Sequence, residues 1–306
     1  MSRSTHPRQA VVGFDGGACA SHAASAAFDL HRRLGTNLEF VHAVDLPPPD
    51  DVAGDPGSAA QMEAEIEAAT FERAVAELEE LAAAAGCEFP VRAHTCVARG
   101  RPARVLLSRV ECTGADLVML GAHERRGVLD FGSTMRAVLG KAPCAVWIQP
   151  GPPREIRRVL VPSDLSSEST RALESAAAIA SAYGAEVCVL YCFQPPDVAY
   201  AASPGYPMVG PVYGIGQVRE ESERELEQVV AAFDWGDVEH SHRFVEGRPA
   251  SAILEVAGEF DLIAMGTHGR TGLAAAVLGG VAYAVLKASE IPVLAHRHPG
   301  REMLLA

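Results

Sequence analysis

The sequence predicts an α/β protein made of two tandem domains, each a doubly wound, open parallel sheet of five strands. Three observations carry this expectation. The chain repeats itself at an offset close to 150 residues. Each repeat alternates short apolar runs with helix-period stretches, the rhythm of βαβ units. The central runs are apolar throughout, as they are when helices cover both faces of a sheet.

The repeat has four anchors in one order. AVVGFDGGACASHAASAAFDL, from Ala10 to Leu30, matches VLVPSDLSSESTRALESAAAIA, from Val159 to Ala180, and sets Asp15 and Asp164 149 residues apart. RGRPARVL matches EGRPASAIL, with Pro102 and Pro249 147 apart. ADLVMLGAHERRG matches FDLIAMGTHGRTG, with Gly121 and Gly266 145 apart. APCAVWI matches EIPVLAH, pairing Pro143 with Pro292 at 149. The repeats therefore define two copies of one domain, at 8–149 and 156–298, joined by the proline-rich QPGPPREI.

The second copy is the clearer one. Its first strand is the apolar run Val159–Val161, followed by an Ala-rich helix over 168–182. The run Val187–Phe193 makes the second strand, and an amphipathic stretch over 217–232 the next helix, whose glutamates from Glu220 to Glu227 form a wet face. His242–Val245 is the third strand, before a helix at 249–258; Leu262–Met265 is the fourth, before a helix at 280–288; Val293–His296 is the last. In such sheets ligands bind beyond the carboxyl ends of the strands, at the topological switch point. Asp164 follows strand one and Gly266 follows strand four, so both lie at that edge, as do Asp15 and Gly121. The last strand of each copy is an apolar edge, which invites pairing. The simplest pairing is with each other, giving an internal pseudo-twofold; a homodimer of the whole chain stays open.

Composition bounds the function. The 306 residues are about two domains' worth, and 48% apolar with 21% charged residues excludes disorder along the whole chain. A formal charge of -13 argues against a nucleic-acid clamp. It leaves room for a nucleotide pocket, where a loop of backbone N–H groups outweighs the global field. The longest tempting membrane run, Thr271 to Leu286, is shorter than the ~20 residues a spanning helix needs, so no membrane partner is expected. No apolar segment follows the basic start before Asp15, so no signal peptide is expected. Seven cysteines without a CxxC pair fit reduced thiols in a cytoplasm.

The glycine loops could carry chemistry. Gly266-Thr267-His268-Gly269 is followed, after nine residues, by Gly279-Gly280 and a helix. Glycines let the backbone approach a ligand closely, and successive N–H groups with a helix N-terminus form an anion site. The pattern is neither GxxxxGK[ST] nor GxGxxG. A tight strand–helix turn without a ligand would read the same way. The first copy runs Gly121-Ala122-His123-Glu124, then seven residues, then Gly132-Ser133. Glu124 stands in place of the second glycine, and the loop is two residues shorter.

These residues resemble the universal stress protein family. The resemblance rests on Pro162-Ser163-Asp164, Gly266-x2-Gly269-x9-Gly279, the VEGRPASAIL segment and the final IPVLAHR strand, and it covers nearly the whole chain. It implies a five-stranded, Rossmann-like fold of the adenine-nucleotide alpha-hydrolase type. It also implies pairing of domains through their last strands, and ATP binding in one branch of the family but not another. Carried over, Asp164 would accept hydrogen bonds from the ribose or adenine side, and Cys192 would line the adenine pocket. The backbone of Gly266, His268, Gly269, Gly279 and Gly280 would hold the phosphates, with Arg270 to neutralise them and Mg²⁺ to accompany ATP. Gly280 departs from the family's Ser or Thr. In the first copy, Asp15, Gly121, Gly132 and Ser133 are a weaker counterpart. The expectation is a cytoplasmic stress-response module with ATP mainly in the C-terminal half. It is not read as an enzyme, because no general base is evident; slow hydrolysis stays open. The alternatives are a scaffold acting through protein contacts and, less supported, a nucleotidyl-transfer or ATP-hydrolysing enzyme, whose SGGxDS loop FDGGACAS matches only superficially.

Other residues have plainer readings. His94 and Cys96 are expected on one face of a strand, as are His240 and His242. Ordinary strand histidines are preferred to a metal site, which needs three or four converging ligands. Cys188 and Cys192 share a strand face as buried thiols. Asp15 and Asp164 could each be a helix N-cap, and Arg125-Arg126 a solvated pair. The segments DLPPPDDVAGDPGSAAQ and FQPPDVAYAASPGYPMVGPVYGIGQ are expected as long loops at the ligand edge, the second as a lid or partner surface.

Overall fold

The computed structural model describes residues 6–45, 56–122, 132–195, 214–267 and 278–296. The first half runs β1 (Gln9–Gly13), α1 (Ala18–Leu34), β2 (Asn37–Val44), α2 (Pro56–Ala84), β3 (Thr95–Arg99), α3 (Pro102–Thr113), β4 (Leu117–Gly121), α4 (Ser133–Lys141) and β5 (Ala145–Gln149). The second repeats it: β6 (Arg158–Ser163), α5 (Ser167–Tyr183), β7 (Glu186–Phe193), α6 (Ile215–Ala232), β8 (His240–Glu246), α7 (Pro249–Ala257), β9 (Leu262–Gly266), α8 (Gly280–Ala288) and β10 (Val293–His296).

All ten strands form one sheet in the order β3-β2-β1-β4-β5-β10-β9-β6-β7-β8. Every neighbouring pair is parallel except β5–β10, which is antiparallel and joins the halves. Within each half the order reverses between the first and fourth strands, which makes β1/β4 and β6/β9 the switch points. One face is covered by α1, α2, α5 and α6, the other by α3, α4, α7 and α8. This explains the apolar runs: β1, β4, β6 and β9 bury residues on both faces. α1 and α5 both stop at a glycine in the left-handed region, Gly35 at φ 70° and Gly184 at φ 66°.

The junction refines one anchor of the repeat. Trp147 pairs with Leu294 at the centre of β5–β10, flanked by Val146–Ala295 and Ile148–Val293. β5 meets β4 as β10 meets β9 when Val146 is matched to Val293, 147 residues on. Pro143 and Pro292 are therefore not equivalent; the sequence match slipped by two because both strands follow a proline-containing turn.

Two other expectations change. His94 belongs to a one-turn 3₁₀ helix, Val91–His94, so it does not share a strand with Cys96; Pro90, just before that turn, helps break the extended run. The first long loop is shorter than expected, because α2 already begins at Pro56. Positions 46–55 and 196–213, the remainder of both long segments, lie outside the described residues. No helix among the described residues is long and apolar enough to cross a membrane.

Candidate functional site

The carboxyl edge of the second half is built on the turn after β6. Asp164 Oδ1 accepts from the Ser166 backbone N–H (3.1 Å) and from the Ser169 hydroxyl (2.6 Å), whose oxygen accepts from the Asp164 N–H (3.2 Å). Ser166 is the N-cap of α5, accepting from the Ser169 N–H at 3.3 Å. Ser163 Oγ accepts from the Leu165 N–H at 3.1 Å. Leu165 sits at φ 62°, the only non-glycine residue with positive φ among the described residues. The turn holds Asp164 at the edge through hydrogen bonds that need no ligand.

Gly266 ends β9, the neighbour of β6 at the switch point. Gly266 closes β9 beside His296, and the next N–H, of Thr267, donates to the His296 carbonyl at 2.8 Å. The loop's far end is tied back to its start: the Gly279 N–H donates to the Thr267 carbonyl at 2.9 Å. Gly279 is the N-cap of α8 and Gly280 its first residue. The Gly279 donor is thus spent on the loop base, and among the described residues the donors left for an anion are the backbone N–H groups of Gly280 to Ala282 in the first turn of α8. Among the described residues, a Cβ placed on Gly280 would meet nothing within 4 Å. His268, Gly269 and Arg270 lie outside the described residues.

Cys192 lies on β7 with Sγ 4.0 Å from the Pro249 carbonyl. Burial pushes its thiol up to about 11, so it is protonated at neutral pH and a poor nucleophile. Cys188 shares its face, as the strand period requires.

The first half keeps the frame with different contents. Asp15 Oδ1 accepts from the Gly17 N–H at 2.9 Å, the same turn as at Asp164, and Gly16 takes the left-handed conformation at φ 76°. The Glu77 carboxylate reaches over this turn from α2; a Cβ on Gly16 would lie 3.0 Å from it. Arg73, 3.9 Å from Glu77, and His42 stand nearby. His42 is held below the usual histidine range by burial, with Arg73 adding to the effect and Asp15 and Glu77 opposing it. Gly121 closes β4 against α1 so tightly that a Cβ would lie 2.1 Å from the Cys19 carbonyl oxygen. Packing alone requires a glycine there. Gly132 is the N-cap of α4 and Ser133 its first residue, while Glu124, Arg125 and Arg126 lie outside the described residues. Among the described residues no group of three His, Cys, Asp or Glu is placed to hold a metal.

Sequence reasoning had no signal for Glu77, 62 residues beyond Asp15 and brought to it only by the packing of α2. Nor did it single out His296, on a strand packed against α5, whose Nε2 is buried without a hydrogen-bond partner among the described residues.

A doubly wound α/β tandem, with a carboxylate and a glycine at the start of the following helix at each switch point, is a Rossmann-like architecture. The universal stress protein family model matches residues 7–150 and again 155–297, so the chain belongs to the universal stress protein family, as a tandem member. A universal stress protein of Methanocaldococcus jannaschii is 34% identical over 150 residues, covering 48% of this chain and 85% of that one. One of Mycobacterium bovis is 30% identical over 194 residues, covering 60% of this chain and 62% of its own length. The crystal structure of a universal stress protein from Archaeoglobus fulgidus superposes over 97% of this chain and 99% of that one, with a TM-score of 0.66 at 18% identity.

Proposed function

We propose that this chain is a cytoplasmic stress-response module that binds an adenine nucleotide, ATP with Mg²⁺, mainly in its C-terminal half. The observation that carries this reading is the first turn of α8 at Gly280, set on a loop whose base is pinned by Gly279 and Thr267, at the same switch point as Asp164. The first half supports the asymmetry, because Glu77 covers the turn at Gly16 beside Asp15, the place where a ribose or adenine would reach that carboxylate. The nucleotide acts by mass action: it stabilises the folded second half and biases the residues around the loop toward one arrangement.

A scaffold without nucleotide is the second reading, and Gly121 favours it. There the glycine after strand four serves helix packing alone. The test is nucleotide content: denaturing fresh protein and separating the supernatant by chromatography, beside calorimetric titration with ATP and Mg²⁺. About one adenine nucleotide per chain is expected, lost on Gly269→Glu, which copies the charge of Glu124. No nucleotide and no heat would overturn the reading in favour of the scaffold; equal occupancy of both halves would overturn the asymmetry.

A further inference from the structure

A cleft of about 460 Å³ opens where the two halves meet, within the size range of small-molecule sites. Its walls are the last turns of α1 and α2, the linker, and Tyr183 at the end of α5. It lies at the amino-terminal edge of the sheet, opposite the glycine loops. The 17 residues of α1 span that distance, about 25 Å at the helical rise.

The charges in this cleft do not balance. Arg32 pairs with Asp29 at 2.8 Å, and Asp29 also accepts from the Tyr183 hydroxyl. Glu155 is held by Arg157 at 2.6 Å. The Arg33 guanidinium lies over the Tyr183 ring, 5.3 Å from its centroid. Arg33 and Arg154 have no carboxylate partner among the described residues, so two uncompensated cations face one concavity in a chain of charge -13.

The repeat shows that the fold does not need them. The positions on α5 that correspond to Asp29, Arg32 and Arg33 are Ala178, Ser181 and Ala182, and α5 ends at the same left-handed glycine without a basic last turn. The arginines are therefore more than complements to a helix end. Tyr183, in turn, takes the place of Leu34. The first half and the linker supply the cations and the second half the ring.

We propose that the junction cleft is a second ligand site, for a small anion carrying two phosphate groups held between Arg33 and Arg154. A guanidinium presents a fork of donors that matches phosphate oxygens, so two forks on different walls of the cleft can each take one phosphate group of a diphosphate. Residues of both halves build this site, so it exists only in the tandem chain. It is separate from the nucleotide edge.

The test is calorimetric titration of the full chain with inorganic pyrophosphate at low salt. One site is expected, weakened at least tenfold in the double variant Arg33→Gln/Arg154→Gln, and weakened by added salt. Both side chains are exposed, so the variant should melt as the parent does. Gly269→Glu, which abolishes ATP binding on the reading above, should leave pyrophosphate binding unchanged. No binding, or binding undiminished in the double variant, would overturn the site. Loss of binding with Gly269→Glu would move the anion to the glycine loop and overturn it as well. Citrate binding more tightly than pyrophosphate would overturn the phosphate assignment.

Discussion

The two halves share one backbone and spend it differently. Asp15-Gly16-Gly17 and Asp164-Leu165-Ser166 trace the same turn, with an Asp oxygen accepting from the N–H two residues on and a left-handed residue between. One half meets the left-handed position with glycine, the other with a leucine that packs against the core. The clasp between the crossover helix and the third strand is reversed in charge: Glu63 and Glu67 of α2 hold Arg99 of β3, while Arg219 of α6 holds Glu246 of β8. At the ends of the joining strands, Gln149 is satisfied by Trp147 and the Gly151 carbonyl, whereas His296 buries a nitrogen without a partner among the described residues. The shared features are those the fold needs, and the features that differ are where the halves' chemistry can diverge.

The largest effect is expected at Gly121. Gly121→Val drives a side chain into the backbone of α1 and should cost about 3 kcal/mol or more, read as loss of the first half's melting transition. Gly266→Val sharpens the comparison: an equal loss of stability would make both glycines packing elements, whereas ATP binding lost from a folded protein would separate them.

Acid should act through the second half. Burial, with Arg171 adding to it, lowers His296 to about 4, against 6.5 in the unfolded chain. The unfolded state therefore binds more protons between those values. Stability is full above pH 6.5, falls as the pH drops toward 4, and levels off below it. The ceiling is about 3 kcal/mol, and His296→Gln, which copies Gln149, should flatten this part of the denaturation profile.

Next comes the hydroxyl that Gly280 lacks. Gly280→Ser has open space for its side chain and should tighten ATP by about 1.5 kcal/mol, roughly tenfold, in titration. The smallest effect is at the cap: Ser166→Ala should cost about 1 kcal/mol in chemical denaturation, and Ser166→Gly, as at Gly17, only a few tenths.

The repeat made the fold legible. In the second half every strand and helix expected from the apolar runs is present, because burial on both faces writes an unbroken signal into β6, β7 and β9. The pairing of the last strands was also readable, from their apolar edges. The two-residue slip at Pro143 was not, since register is set by pairing with a neighbour distant in sequence. The site was legible as positions along an edge: Asp164 and Gly266 stand at the switch point. Which donors remain free was not, because the Gly279 bond to Thr267 closes in space across the loop.

The single antiparallel pair also constrains how the protein is made. β5 leaves the ribosome about 147 residues before β10, the only strand that covers its open side. At roughly 5–20 residues per second, the first half waits on the order of 7 to 30 seconds with an apolar edge exposed. During that interval neighbouring nascent chains on one message compete with the chain's own second half for β5. Covalent linkage in a tandem raises the local concentration of the right partner, which favours completion of the sheet within one chain.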